Sequence, residues 1–166
     1  MPKTRKLALM AMFTAASLIV FVIEAQIPAP IPVPGVKLGL ANIITLIAMV
    51  MLGRREAGLI LLVRIAMGSM FTGGVSAFIF SIAGGALAYA VMCLTLKLFP
   101  EKLLWVVSVL GAAAHNLGQL AAAIIITKTS SLMLYAPVLL ASAVVTGAFT
   151  GLAAMYLTQR LDKRVG

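Results

Sequence analysis

Six long apolar runs, separated by short polar or charged segments, set the pattern of this sequence. The runs lack the strict alternation of a half-buried strand, and a helix needs about 20 apolar residues to cross the hydrocarbon core of a bilayer. We therefore predict six transmembrane helices, of which the second and third are short and joined by a tight turn at Gly53. Their predicted bounds are 7–25, 38–53, 56–71, 77–97, 103–127 and 133–157.

Composition supports a membrane environment. Of the 166 residues, 63% are hydrophobic and 10% are charged, whereas soluble domains average about 25% charged residues. In a bilayer the backbone must satisfy its own polar groups, and runs without barrel-type alternation do so as helices. The sequence predicts an all-α integral membrane protein that forms a single polytopic domain over residues 1–166.

The basic residues give this bundle an orientation. The formal net charge is +9, and Arg64 is the single basic residue away from the ends of the predicted helices. If the N-terminus is cytoplasmic, only Lys37 and Lys128 lie on the outer side, and the inner side holds the other ten: Lys3, Arg5, Lys6, Arg54, Arg55, Lys97, Lys102, Arg160, Lys163 and Arg164. The positive-inside rule then places both termini in the cytoplasm of a multi-pass cell-membrane protein. Topology explains the basic surplus, so we expect no nucleic-acid partner.

A proline-rich segment, IPAPIPVPGVKLGLAN at residues 27–42, interrupts the apolar runs. Alternate prolines at positions 28, 30, 32 and 34 favour an extended, semi-rigid path with few backbone donors. The topology puts the loop over residues 26–37 on the outer face. We interpret it as a lid across the bundle; the alternative is a simple spacer between helix ends.

Seven polar or charged side chains fall in the middle or outer half of the predicted helices. They are Glu24, Lys37, Asn42, Arg64, His115, Asn116 and Gln119. Helical geometry puts the last three on one face of helix five. Because such side chains are costly inside a membrane and usually face a cavity or a partner, we expect them to form a substrate-binding site. The cations Arg64 and Lys37 favour an anionic ligand.

A second interpretation of the same residues needs no ligand. In it, Glu24 and Arg64 form an internal ion pair, while the histidine and the two amides on helix five hydrogen-bond to neighbouring helices. The sequence alone leaves both interpretations open.

Motifs for catalysis are missing from the sequence. The one aspartate is Asp162, the three glutamates are far apart, and one histidine with the lone Cys93 cannot make a typical zinc site. No GxxxxGK[ST] phosphate loop is present. We expect neither catalytic residues, nor a metal, nor a cofactor, and we predict that the chain is not an enzyme.

Small residues four apart allow close helix packing at two places. Ala11 and Ala15 lie on the inner half of helix one, and Gly147 and Gly151 lie in helix six. The glycine pair needs no partner protein, since another helix of the same chain can pack against it.

Four stretches together resemble a known family: PGVKLGLAN after the prolines, Arg64, SIAGG at 81–85, and HNLGQ on helix five. They resemble the Gx transporter family, labelled heptaprenyl diphosphate synthase component I, which is itself similar to the substrate-binding S components of energy-coupling factor (ECF) transporters. The resemblance implies an S-component-like bundle of six helices, a ligand site near the outer face and a first loop that closes over it. It also implies that the AxxxA pattern of Ala11 and Ala15 docks a transmembrane coupling subunit driven by two ATPase subunits.

These observations predict a substrate-binding subunit for uptake of a small vitamin or cofactor precursor. The alternative is a non-catalytic membrane subunit that supports heptaprenyl diphosphate or isoprenoid-quinone synthesis. A stand-alone facilitator is a third possibility. Besides its protein partners, the chain is expected to contact membrane lipid.

Overall fold

The computed structural model describes residues 2–27, 37–72 and 74–165. Within these ranges the chain contains helices and no strands. The six α-helices are α1 (Lys3–Glu24), α2 (Asn42–Met51), α3 (Arg54–Thr72), α4 (Gly74–Leu98), α5 (Leu104–Thr127) and α6 (Ala136–Val165). Two 3-10 segments, Glu101–Leu103 and Ser130–Tyr135, lead into α5 and α6. The prediction of six helices is confirmed.

The helices differ in their ability to cross a membrane. Four helical stretches are long and apolar enough to do so: Lys3–Glu24, Gly74–Leu98, Glu101–Thr127 and Ser130–Arg160. The described chain is therefore compatible with a multi-pass membrane protein. At 10 residues, α2 is only about 15 Å long and cannot span a bilayer alone.

The second helix was predicted at 38–53 and is shorter at both ends. Gly39 has a φ of +81° and Gly53 a φ of +105°, values that a helix cannot contain and that favour glycine. The chain therefore enters α2 only at Asn42 and turns into α3 through Gly53, where a tight turn was predicted.

Successive helices run in opposite directions, which gives the bundle two distinct ends. At the end that we call the basic end, α1, α3 and α5 begin and α2, α4 and α6 finish. There the Lys6 ammonium pairs with the Glu56 carboxylate and joins the starts of α1 and α3. The main apolar core, which includes Leu46, Ile60 and Met92, fills the half of the bundle nearest this end.

Glycines bring α6 and α4 close to the backbone of α5. A Cβ atom on Gly151 would lie 2.4 Å from Trp105 Cα, and one on Gly147 would lie 2.5 Å from Val109 Cα. On the other side of α5, a Cβ on Gly118 would lie 2.6 Å from the Ala83 carbonyl oxygen of α4. The glycine pair of α6 therefore packs within the chain, and α5 is the central helix.

Candidate functional site

The buried residues of α1 lie in the half of the helix that is farther from the basic end. Its buried residues are Ser17, Phe21 and Glu24, spaced so that they form one stripe along the helix. The Glu24 carboxylate accepts hydrogen bonds from the backbone N–H groups of Gly39 and, at 3.3 Å, Ala41. Glu24 therefore fastens the segment before α2 to the end of α1.

Glu24 and Arg64 are buried neighbours without a direct ion pair. Their exposed fractions are 3% and 2%. Within the described chain, however, the carboxylate found within 4.0 Å of a basic nitrogen is that of Glu56, beside Lys6. The direct ion pair of the second sequence interpretation is therefore absent from the described chain, and backbone N–H groups are the hydrogen-bond donors to the Glu24 carboxylate.

Phe21 lies between two cations. The Lys37 Nζ atom is 3.4 Å from the centre of its ring, and the Arg64 Cζ atom is 5.7 Å from it. Gly68 provides the space for the ring, since a Cβ there would lie 2.5 Å from two ring carbons. Cations are attracted to the face of an aromatic ring, and more strongly when water is excluded. Phe21 was not among the predicted site residues, although its position three residues before Glu24 puts it on the same helix face.

Lys37 lies in the connection between α1 and α2, outside the membrane-spanning helices. Burial lowers the pKa of its ammonium group to about 8, and the Glu24 carboxylate opposes part of this shift. The backbone N–H of Lys37 donates to Gln119 Oε1 at 2.9 Å. Lys37 is thus held against α5 while its side chain reaches the Phe21 ring.

His115 is enclosed by two glycines. A Cβ on Gly39 would lie 2.9 Å from His115 Cδ2, and a Cβ on Gly84 would lie 3.0 Å from His115 Cε1. The same Cβ on Gly39 would lie 3.0 Å from Asn42 Nδ2. Glycines in the PGVKLGLAN and SIAGG stretches therefore make room for His115, and they bring it next to Asn42.

Asn116 faces a different neighbour from His115 and Gln119. Its side-chain Nδ2 donates to the Leu139 carbonyl oxygen at 2.9 Å and is 3.5 Å from Ser142 Oγ, both on α6. Six of the seven predicted site residues thus lie around the Phe21 ring and the segment before α2, and Asn116 links α5 to α6 instead.

Many polar atoms in this region are buried and have no hydrogen-bond partner among the described residues. They are Ser17 Oγ, both side-chain polar atoms of Asn42, Thr45 Oγ1, Arg64 Nε, Ser81 Oγ, His115 Nδ1, Asn116 Oδ1 and Gln119 Nε2. An unsatisfied buried polar group costs about 1–3 kcal/mol. The hydroxyls of Ser17, Thr45 and Ser81 were not predicted as site residues, because serine and threonine are common in membrane helices. We call these residues apart from Asn116, together with Phe21, Glu24 and Lys37, the polar cluster. Its donors and acceptors are of the kind that bind a small polar ligand.

The predicted docking pair lies away from the polar cluster. Ala11 and Ala15 are exposed on the side of α1 that turns away from Ser17, Phe21 and Glu24. The prolines of the predicted lid, at positions 28, 30, 32 and 34, lie outside the described residues. In the described chain, no group of three or more His, Cys, Asp or Glu side chains could hold a metal ion.

One of three comparisons with known proteins identifies a family for this chain. Comparisons with curated proteins and with solved structures found no match. The sequence does match the family described as heptaprenyl diphosphate synthase component I over residues 13–157, a range that contains α2 to α5 and every residue of the polar cluster. The chain therefore belongs to the heptaprenyl diphosphate synthase component I family, which confirms the family predicted from its motifs.

Proposed function

We propose that this protein is the substrate-binding membrane subunit of an ECF-type uptake transporter for a small, anionic vitamin or cofactor precursor. The observation that carries the proposal is the polar cluster. Six buried residues that the sequence predicted as a binding site lie around the Phe21 ring and the segment before α2, and the same region holds polar atoms without partners among the described residues. Structural hydrogen bonding alone would pair such atoms, because leaving them unpaired lowers stability.

The charges in the polar cluster favour an anion. Arg64 and Lys37 both approach the Phe21 ring, and Glu24 is the buried carboxylate among the described residues. Backbone N–H groups donate to that carboxylate, and Arg64 Nε has no partner in the described chain. A carboxylate or phosphate of the ligand would accept this hydrogen bond.

Orientation is part of the proposal. The basic end carries Lys3, Arg5, Lys6, Arg54 and Arg55, so the positive-inside rule places it in the cytoplasm together with both termini. The polar cluster then lies in the outer half of the bundle, where an uptake protein captures its substrate. The proline-rich loop is the proposed lid.

The energy for uptake comes from partner proteins in this proposal, since the sequence contains no GxxxxGK[ST] phosphate loop. The exposed face of α1 around Ala11 and Ala15 is the proposed docking surface for a transmembrane coupling subunit, which in turn binds two ATPase subunits. Small side chains on this face would let a partner helix approach closely.

A metabolite screen tests the proposal. Candidate vitamins and precursors are added to the purified protein, and binding is read from thermal stability and from mass spectrometry of retained ligand. We expect at least one anionic compound to bind, and we expect Arg64→Ala to weaken binding about 10- to 100-fold, equivalent to about 1.5–3 kcal/mol for a hydrogen bond to a charged group. His115→Ala should act in the same direction.

Arg5→Ala is the matched control, because it removes an exposed arginine at the basic end of α1. It should leave ligand binding unchanged. If no compound binds, and both Arg64→Ala and His115→Ala unfold the protein, the polar cluster is structural and the proposal fails.

The family description favours a second candidate, a non-catalytic membrane component that supports heptaprenyl diphosphate synthesis. Copurification separates the two candidates. Recovery of ATPase subunits, reduced by Ala11→Trp and Ala15→Trp but not by Ala141→Trp on the exposed side of α6, would support the transporter. Recovery of a soluble prenyl diphosphate synthase instead would support the second candidate.

A further inference from the structure

A groove of about 500 Å³ runs between α3 and α4, away from the polar cluster. Its volume is within the range of about 300–1,000 Å³ that is usual for small-molecule sites. Apolar side chains line most of its length, including Leu59 and Leu62 of α3 and Ile82 of α4. Polar groups are confined to one end, where Arg55 and Tyr89 lie.

Two small residues give the groove its depth. Gly58 of α3 and Ala86 of α4 both line it, and longer side chains at either position would fill the space. The Tyr89 ring packs on Gly58, where an added Cβ would lie 3.1 Å from the Tyr89 hydroxyl oxygen. That hydroxyl donates to the Arg54 carbonyl oxygen at 2.8 Å. The wall at the polar end is therefore fixed by a hydrogen bond.

The groove opens sideways from the bundle. Leu59 and Leu62 beside the opening are each 53% exposed, and α4 is one of the helices apolar enough to cross a membrane. An occupant therefore enters from the hydrocarbon region of the bilayer and needs an apolar chain.

Arg55 at the polar end favours an occupant with an anionic headgroup. Arg55 is exposed at the basic end of the bundle, and no carboxylate of the described chain lies within 4.0 Å of its guanidinium group. A guanidinium group binds phosphate through paired N–H donors, and basic residues next to membrane helices attract anionic lipids.

We propose that this groove binds an anionic phospholipid, with one acyl chain between α3 and α4 and the headgroup phosphate on Arg55. The bilayer supplies such lipids at the mouth of the groove, and the apolar walls with one terminal cation match an acyl chain with one anionic head. The site is separate from the polar cluster and does not depend on the proposed transport function.

Native mass spectrometry of the full chain tests the lipid site. The purified protein is mixed in mild detergent with phosphatidylglycerol or with phosphatidylcholine of the same acyl chains. We expect phosphatidylglycerol to be retained about fivefold more than phosphatidylcholine. Arg55→Gln should remove this preference, while Arg5→Gln, a charge change elsewhere on the basic end, should keep it.

A second variant tests the acyl chain. Ala86→Leu fills the groove and should lower retention of both lipids about tenfold, and Ala90→Leu, one turn further along the exposed side of α4, should not. Equal retention of the two lipids by the unchanged protein, or equal behaviour of Ala86→Leu and Ala90→Leu, would overturn the proposal. Displacement of phosphatidylglycerol by an equal concentration of farnesyl diphosphate would also overturn it, since the groove would then be a prenyl diphosphate site.

Discussion

The α5–α6 interface and the polar cluster both bury polar side chains, but these side chains differ in whether they have hydrogen-bond partners. Between α5 and α6, the hydroxyls of Ser108 and Thr150 are 3.0 Å apart, and Asn116 donates to the Leu139 carbonyl oxygen. In the polar cluster, the hydroxyls of Thr45 and Ser81 have no partner among the described residues. A buried hydrogen bond adds modestly to stability, whereas an unpaired group lowers it.

This difference separates two uses of polarity in one bundle. The α5–α6 interface uses glycines for close approach and a few paired polar groups for specificity, which is how membrane helices associate. The polar cluster keeps groups that lower the stability of the protein alone, and such groups in a membrane helix are normally functional. The predictions below test whether the two regions behave as differently as their contacts imply.

The largest expected effect is on the α5–α6 interface. A Cβ on Gly151 would lie 2.4 Å from Trp105 Cα, a backbone atom that cannot move without displacing α5. Overpacking usually costs about 1–3 kcal/mol, and we expect Gly151→Leu to reach at least the top of this range, about 3 kcal/mol. Thermal unfolding in detergent measures the loss.

Ala141→Leu is the matched control, because Ala141 is exposed on the same helix. It adds a side chain of the same size without a contact on α5, so its unfolding temperature should stay near that of the unchanged protein. Equal unfolding temperatures for the two variants would show that α6 does not need its close contact with α5.

A smaller effect is expected from pH on the polar cluster. Burial lowers the pKa of Lys37 to about 8, so its ammonium group is mostly charged at pH 7 and mostly neutral at pH 9. Affinity for an anionic compound found in the screen should therefore fall as the pH rises, by about tenfold, or about 1.4 kcal/mol.

Lys37→Gln removes the titrating group and serves as the control for the pH series. Its affinity at pH 7 should match that of the unchanged protein at pH 9, with little further change between the two values. An affinity that rises with pH, or a pH dependence that survives Lys37→Gln, would contradict the role of Lys37.

The smallest effect compares one hydroxyl from each region. Thr150→Val removes a paired hydroxyl and should lower stability by about 0.6 kcal/mol, the average for such bonds between membrane helices. Ser81→Ala removes an unpaired hydroxyl and should leave the stability of the ligand-free protein unchanged or raise it, while weakening ligand binding. Chemical denaturation of both variants in one detergent provides the comparison, and a loss for Ser81→Ala as large as that for Thr150→Val would remove the distinction.

Much of the fold was predictable because it depends on local patterns. Apolar run length predicted six helices, and Gly53 predicted the turn between α2 and α3. A short second helix was predicted, but its start at Asn42 was not, because that start depends on Glu24 and Gln119 holding the preceding segment in a non-helical path. Contacts of that kind join distant parts of the chain and have no local signal.

The burial of most candidate site residues was also predictable from the sequence. Residue type and helical depth identified Arg64, His115 and Gln119 as buried, and each is at most 5% exposed. Phe21 was missed, because a phenylalanine in an apolar helix carries no sign that cations will lie on its ring. Asn116 was grouped with His115, although its amide reaches α6.

The sequence by itself determined the helical class, the number of helices, the basic end and the set of polar residues far from it, because hydrophobicity and charge act on each segment separately. Only the tertiary structure decided which polar groups are paired. Hydrogen bonding depends on which helix faces each side chain within about 3 Å. In this bundle Glu24 accepts hydrogen bonds from the backbone before α2, and Asn116 donates to α6. Polar atoms of Arg64, Ser81 and Thr45 are unpaired in the described chain.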